Sequence, residues 1–467
     1  MVDQRQKAPV RRPDRAVPGP DRRSLTRAIA GLGVPMAAAD VFGLLVLVGI
    51  VALMARMSTE ALYIRALYVP LVNLFAAVYA GLGISNQVAA AISRGRGRPR
   101  DVVPLAASFA RVWLAISAVL VIAVVLAAPA LGSAFGVAPE DRDLFVSFVR
   151  WMAPAELLQV GAVLCASSLR GYGRAGAGSA VSLVTAVLQF AGVAVFGLGR
   201  HGGIFTVPAS LAVGSLVGLA FGVYLLRRSG LLGPSVSRSS GRRSSARRSF
   251  AWRPEVIGHL FRVGLPVALT QLLLFGGNFG LLWVLGRTGP DVVSGFSAAA
   301  TLQVLLIMPG IVLGSAIAIV LNQQRAAGKA AWMPAGLSAG MRIGFGLYAV
   351  IGLLVWLLRG PIGDLMSGDP RVAAVTSAYL GAVGLTYFIQ GPVLAALASM
   401  EQLGAGFLAL ALNVFYFVVI VAVGWLVVGQ YGAVGVFRGI AATNLVGISV
   451  VVTAFVVVRR MARQTRS

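Results

Sequence analysis

Residues 28–57 read AIAGLGVPMAAADVFGLLVLVGIVALMARM, and residues 259–288 read HLFRVGLPVALTQLLLFGGNFGLLWVLGRT. Aligned, they set Gly33 and Pro35 over Gly264 and Pro266, Gly49 over Gly280 and Arg56 over Arg287, at a constant offset of 231 residues. The offset persists outward from this stretch. Gly83 recurs as Gly314, Arg94 as Arg325, Gly97 as Gly328, Gln159 as Gln390 and Gly173 as Gly404, and Glu60 is answered in kind by Asp291. A chain rich in Gly, Ala, Val and Leu matches itself by accident in places, but these matches fall at corresponding helix starts and ends without a gap. Two copies of one unit follow, and paired membrane halves are a transporter's architecture.

Of the 467 residues 58% are hydrophobic and only 12% charged, and apolar runs of a length that spans a bilayer recur along the whole chain. The pattern predicts an all-α integral membrane protein with twelve transmembrane helices, near residues 28–55, 66–92, 104–131, 144–169, 176–198, 204–226, 257–286, 292–322, 332–358, 371–399, 404–428 and 434–458. Each half holds an even number of spans, so both enter from the same side. The bundles 28–226 and 257–458 are then parallel and related by a pseudo-two-fold axis along the membrane normal. A basic Ser/Gly/Arg-rich linker, 227–256, joins them, and basic tails, 1–27 and 459–467, flank them.

In a soluble protein the net charge of +25 would point to nucleic acid. Here its distribution points to topology. Most of the 40 Lys and Arg fall in the N-terminal tail, the even-numbered connections and the C-terminal tail. That is the positive-inside asymmetry, with both termini cytoplasmic and the linker arginines facing anionic lipid. Arg greatly outnumbers Lys beside abundant Ala, Gly and Val, which suggests a GC-rich bacterial genome and hence a bacterial cytoplasmic membrane. Arg22-Arg23 before an apolar stretch and Ala37-Ala38-Ala39 imitates a twin-arginine signal, but the apolar run continues to Met54 and is repeated at helix 7.

Enzyme chemistry lacks material. Cys165 is the single cysteine, so neither a disulfide nor a cysteine metal site is available, and His201 and His259 are too far apart in sequence to suggest a ligand pair. Gly171-Tyr172-Gly173-Arg174-Ala175-Gly176 satisfies a dinucleotide-binding pattern without its strand, and reads as a helix-hairpin turn. Glu140, Asp141 and Asp143 resemble a diphosphate–metal pair but sit at a helix start, where acids are common. Neither a cofactor nor a resident metal is expected.

Of the 15 acids, Asp40 and Glu156 alone fall deep within predicted spans. Each is about 12 residues, ~18 Å, from the start of its helix, near the midplane. A charged acid there costs on the order of 2.5–3.5 kcal/mol, so by default it serves ion binding, proton exchange or solute contact. Asp40 corresponds to Gln271 and Glu156 to Tyr387, so the carboxylates belong to the first half. The second half offers uncharged groups, Gln271, Asn278, Gln303, Tyr387 and Gln390, as candidate cavity residues. Low dielectric favours the protonated carboxyl, so such a group takes a proton from outside and releases it inside when its surroundings change. One proton crossing ~100 mV supplies about 2.3 kcal/mol. Glu401 reads as an interfacial residue, with Arg170 as its counterpart.

Three stretches together resemble the multidrug and toxic compound extrusion (MATE) family. They are Gly264-Leu265-Pro266 opening helix 7, the Asn322-Gln323-Gln324-Arg325 to Gly328-Lys329 ending of helix 8, and Leu169-Arg170-Gly171-Tyr172-Gly173 ending helix 4. The resemblance covers residues 28 to 458. It implies a V-shaped pair of six-helix lobes that alternate between outward- and inward-open states and export organic, often cationic compounds in exchange for H+ or Na+. It also implies an acid in helix 1 about four turns beyond the opening proline. Here that position is near Ile50, whereas Asp40 lies five residues past Pro35. The acids of sodium-coupled members have no match in helices 7 and 10, which favours H+ over Na+.

The sequence therefore reads as a non-enzymatic secondary transporter, a monomer whose partners are a small organic solute, H+ (less readily Na+) and membrane lipids. Asp40 and Glu156 are its cation-coupling candidates. The alternative is a flippase for lipid-linked oligosaccharides or other lipid precursors. Such a cargo carries phosphates and calls for several basic residues in the cavity, and Arg111, Arg342 and Arg438 are the basic residues that the sequence places within spans.

Overall fold

The computed structural model describes residues 22–232 and 251–464. The expected basic tails and the arginine-rich centre of the linker lie largely outside these residues. Nine helical runs cross singly: α1 (Arg22–Met57), α2 (Thr59–Gly95), α3 (Pro99–Ala134), α4 (Pro139–Gly171), α5 (Ala175–Leu198), α6 (Thr206–Arg228), α7 (Glu255–Thr288), α8 (Pro290–Ala326) and α9 (Ala330–Leu357). A tenth run, Pro370–Gln464, is continuous only by hydrogen bonding. It breaks at Gly404 (φ 94°) and Gly432 (φ 56°), giving α10 (370–403), α11 (406–431) and α12 (433–464). The second break is a hairpin, since Gly424 lies against Val436 and Gly439 against Val423. Twelve spans result among the described residues, several longer than their apolar stretches because the helices run on into polar sequence.

The repeated glycines end helices. Gly97 (φ 67°) and Gly328 (φ 73°) adopt the left-handed backbone after α2 and α8, and the following amides close the ends, Arg98 N–H to the Ser93 carbonyl at 2.9 Å and Lys329 N–H to the Gln324 carbonyl at 2.8 Å. Gly173 (φ 84°) does the same after α4, with Arg174 N–H on the Leu169 carbonyl at 2.8 Å, so the glycine-rich run is a helix-hairpin turn. A residue with a Cβ resists this backbone, which is why glycine stands there in both halves. The α1–α2 turn is a single residue, Ser58, whose hydroxyl caps α2 by accepting from Ala61 N–H at 3.0 Å.

Helices α1–α6 and α7–α12 form two lobes with the same internal pattern. α1 packs on α5 as α7 packs on α11, and α2 on α4 as α8 on α10. The lobes meet at the end where α2 and α8 finish. Gly33 faces Ala316, Gly81 faces Gly264, and Leu25, Ile29, Leu32 and Met36 share one core with Val312, Ala316 and Ile317. Hydrogen bonds stitch the same end: Gln87 Nε2 to Gln402 Oε1 at 3.2 Å and Gln323 Nε2 to the Gly171 carbonyl at 3.0 Å. At the opposite end each lobe has a core of its own, around Tyr68 and Phe148 in one and Tyr379 and Phe437 in the other. The molecule is a V, joined at its terminal face.

One helix is bent by insertion. Pro309 interrupts α8, and the Tyr348 hydroxyl of α9 enters the ladder there, accepting from Gly310 N–H at 2.7 Å and donating to the Leu306 carbonyl at 2.8 Å. A hydroxyl between an i and i−4 pair holds a kink open. The kink carries Ile307, Met308 and Ile311 into the cavity wall.

Candidate functional site

A cavity of about 380 Å³ lies chiefly within the second lobe and reaches the seam between the lobes. Its walls are mainly α7, α8, α10, α11 and α12, completed from the first lobe by Met36 and Asp40 of α1, Ile84 and Gln87 of α2, and Arg170 of α4. On α7 the lining residues are Gln271, Leu274, Phe275, Asn278 and Leu281. Their spacing of three and four puts them on one stripe, with amides a turn or two apart among apolar neighbours.

Four of the five residues expected to line a cavity, Gln271, Asn278, Gln303 and Gln390, are in this wall. Tyr387 is fully buried in the core of the second lobe beside Tyr348 and Tyr379. The wall polar groups differ in how far they are satisfied. Gln303 Oε1 accepts from Tyr379 at 2.8 Å, and Asn444 accepts from Tyr416 at 2.6 Å while donating to Thr386 at 2.9 Å. Gln390 Oε1 is buried with no partner among the described residues. An unmet buried amide calls for a partner from water or a bound solute.

Asp40 lies at the joined end of the cavity. Its Oδ1 is 3.2 Å from an Arg170 guanidinium nitrogen, which also reaches the Ser182 hydroxyl at 3.1 Å. Arg170 comes from the last turn of α4 and reaches inward to α1, and its Nε is buried with no partner among the described residues. The cavity acid is thus neutralised within its own lobe. At the repeat-related position stands Glu401, which the sequence placed at the interface. It is buried and accepts from Thr270 Oγ1 at 2.7 Å. The two halves therefore place an arginine and a carboxyl at one structural position, and of the two only Arg170 lines the cavity.

Glu156 is not beside Asp40. It is buried inside the first lobe, where its carboxylate accepts from the Tyr79 hydroxyl at 2.6 Å and from Gln159 Nε2 at 2.6 Å. Arg65 of α2 attracts it electrostatically, itself buried with one guanidinium nitrogen unpartnered. Sequence reasoning put Arg65 in a connection because the apolar run of helix 2 begins after it. The helix in fact starts at Thr59 and carries Arg65 into the lobe. A buried Arg–Glu–Tyr–Gln cluster in the first lobe is the feature that pattern reading missed.

The family model of MatE matches residues 35–195 and again 266–426, two matches at the same offset as the internal repeat. Over 130 residues the chain is 30% identical to the probable multidrug resistance protein NorM of Aromatoleum aromaticum, 28% of this chain and 27% of that protein. Over 331 residues it is 27% identical to the protein of the same name from Xanthomonas campestris pv. campestris, 64% of this chain and 65% of that protein. The chain thus matches about a quarter of the first relative's length and just under two-thirds of the second's. Among solved structures, a MATE protein in complex with MaL6 superposes with a TM-score of 0.84 at 19% identity, over 95% of this chain and 97% of that one. The Vibrio cholerae MATE transporter VcmN in its bent form gives 0.82 at 16%, over 95% and 98%. A MOP superfamily transporter from Pyrococcus furiosus gives 0.82 at 19%, over 97% and 100%. At these identities the likeness is one of fold.

Proposed function

The chain belongs to the MatE family, and we propose that it is a secondary active exporter of organic compounds, cationic or amphipathic, driven by inward proton movement through alternating access. The V-shaped pair of lobes supplies the moving parts, and the amide-rich cavity at their seam supplies the solute site. By the charge asymmetry of its connections, the joined end faces the cytoplasm of a bacterial inner membrane.

The observation that carries the coupling is the Asp40–Arg170 pair in the cavity wall. With Asp40 ionised, the pair is neutral and an organic cation shares the carboxylate with Arg170. When a proton binds Asp40, the guanidinium is left uncompensated beside the solute. In a site shielded from water two like charges repel strongly, so proton binding and cation retention compete. Loading of the proton from outside therefore expels the cation outward. Glu156, with Arg65 and Tyr79 around it, is a second proton site of the same lobe. Sodium is less suited, because Arg170 already occupies the side of Asp40 that a cation would need. A flippase for phosphate-bearing lipid precursors finds weak support, since Arg170 is the one cation among the described lining residues and is paired.

The test is efflux of fluorescent organic cations from cells expressing wild type or Asp40→Asn at equal membrane levels. The gradient is left intact or collapsed. Efflux that needs the gradient and is lost in the variant is expected. Gradient-dependent efflux unchanged in Asp40→Asn would overturn the role of that carboxyl.

A further inference from the structure

The two lobes share their helix packing but not their outer surface. Along the seam of α7 and α11 runs an apolar groove of about 670 Å³, floored by Gly276, Gly277 and Gly280 and walled by Val421, Trp283 and Trp425. The repeat gives the corresponding seam of α1 and α5, where Leu45 and Val46 stand for Gly276 and Gly277, Gly49 matches Gly280 and Phe190 replaces Val421. There Phe190 lies directly on Gly49, within 2.7 Å of where a Cβ would stand, and fills the space. At Gly280 the smaller Val421 still stands 3.0 Å from where a Cβ would be, and the open space lies at Gly276, where a Cβ would meet nothing within 4 Å. Two glycines gained and an aromatic ring lost set this seam apart from its counterpart in the first lobe.

A cation stands beside one end of this groove, outside its apolar lining. Arg287 stacks its guanidinium 5.0 Å from the Trp283 ring centre and 5.8 Å from that of Trp425, the two tryptophans that frame that end. In the first lobe the equivalent Arg56 has Ala52 and Ala194 at those positions. Tryptophans beside an arginine mark the depth where chains give way to headgroups. Among the described residues no acid pairs with Arg287. A slot walled by hydrocarbon and ended by a held, unpaired cation matches a molecule with an acyl chain and a phosphate.

We infer that the α7–α11 groove is a specific phospholipid site, one acyl chain lying on Gly276, Gly277 and Gly280 with the phosphate on Arg287. Its inner wall is Phe417, which packs over Gly277 and whose other side lines the central cavity. A bound chain therefore bears on the side chain that separates membrane from solute site.

The experiment is native mass spectrometry of the purified full chain titrated with dioleoyl phosphatidylglycerol, with dioleoylglycerol and inorganic phosphate as separate probes. Wild type is expected to retain one tightly held phosphatidylglycerol. Gly276→Leu, which restores the first-lobe residue without a clash at Cβ, and Arg287→Gln are each expected to weaken it by at least about tenfold. Val421→Phe does the same by copying Phe190. Arg56→Gln leaves it unchanged, dioleoylglycerol binds at least tenfold more weakly, and inorganic phosphate does not compete. Retention unchanged in folded Gly276→Leu would overturn the groove. Equal losses in Arg56→Gln and Arg287→Gln would reduce the effect to general surface charge, and equal binding of dioleoylglycerol would remove the phosphate contact.

Discussion

Gly81 of α2 meets Gly264 of α7 where the lobes join, and a methyl group added there tests whether this joint is a moving part. A Cβ on Gly81 would stand 2.5 Å from the Gly264 carbonyl oxygen and 3.2 Å from the Ala268 Cβ. Ordinary contact needs about 0.9 Å more room against the oxygen. The obstruction is backbone on both sides, so no side chain can swing away, and overpacking of this kind costs about 1–3 kcal/mol. The cost falls only on the state in which this end is closed. The balance between closed and parted lobes should therefore shift roughly 5- to 150-fold toward the parted state. Spin labels on Arg174→Cys and Ala327→Cys, exposed positions in the two lobes at that end, in a Cys165→Ala background, report the separation by pulsed electron resonance. Gly81→Ala should enlarge the long-distance population, whereas Gly31→Ala, whose Cβ meets nothing within 4 Å, should not. An unchanged distribution in Gly81→Ala, or the same change in Gly31→Ala, would refute the reasoning.

Three further outcomes are expected. Tyr348→Phe removes the hydroxyl that bridges Gly310 and Leu306, leaving two buried backbone groups to re-pair, and should cost about 1–3 kcal/mol, read as a lower melting temperature in detergent. Thr270→Val strips Glu401 of its one described side-chain donor. It should destabilise by about 1–3 kcal/mol, and the loss should be largely reversed by adding Glu401→Gln, which a thermal-shift double-mutant cycle would show. Glu156→Gln keeps a carbonyl for Tyr79 and Gln159 but abolishes the charge opposite Arg65. Transport should then lose pH dependence more than solute affinity, and a change in affinity alone would count against a proton role.

Much of this fold was legible because the repeat and the apolar runs are properties of pattern. Gly97 and Gly328 could be read as helix ends from their shared register, and they are helix ends because the left-handed backbone requires glycine in each copy. The amides at 271, 278, 303 and 390 were legible as cavity candidates, since a polar side chain within a span seeks a partner away from lipid. What was hidden depends on reach and on helix length. Arg170 looks interfacial by position, yet a long side chain from the last turn of α4 reaches Asp40. Arg65 precedes the apolar run of its helix, but α2 extends past that run into the lobe. Tyr387 shares its residue type and span with true wall residues, and only the direction of its face turns it into the core. The groove beside Gly276 is invisible in either half alone and emerges when the two seams are compared.

The central claim is that a proton on Asp40 and an organic cation in the cavity compete. The most direct measurement is solute-induced proton release by the purified protein in detergent, followed with a pH indicator at constant ionic strength. Addition of tetraphenylphosphonium to wild type should release protons in proportion to cation bound, and the release should be absent in Asp40→Asn while Glu156→Gln retains part of it. Tight binding of the cation without proton release by the wild type would contradict the account.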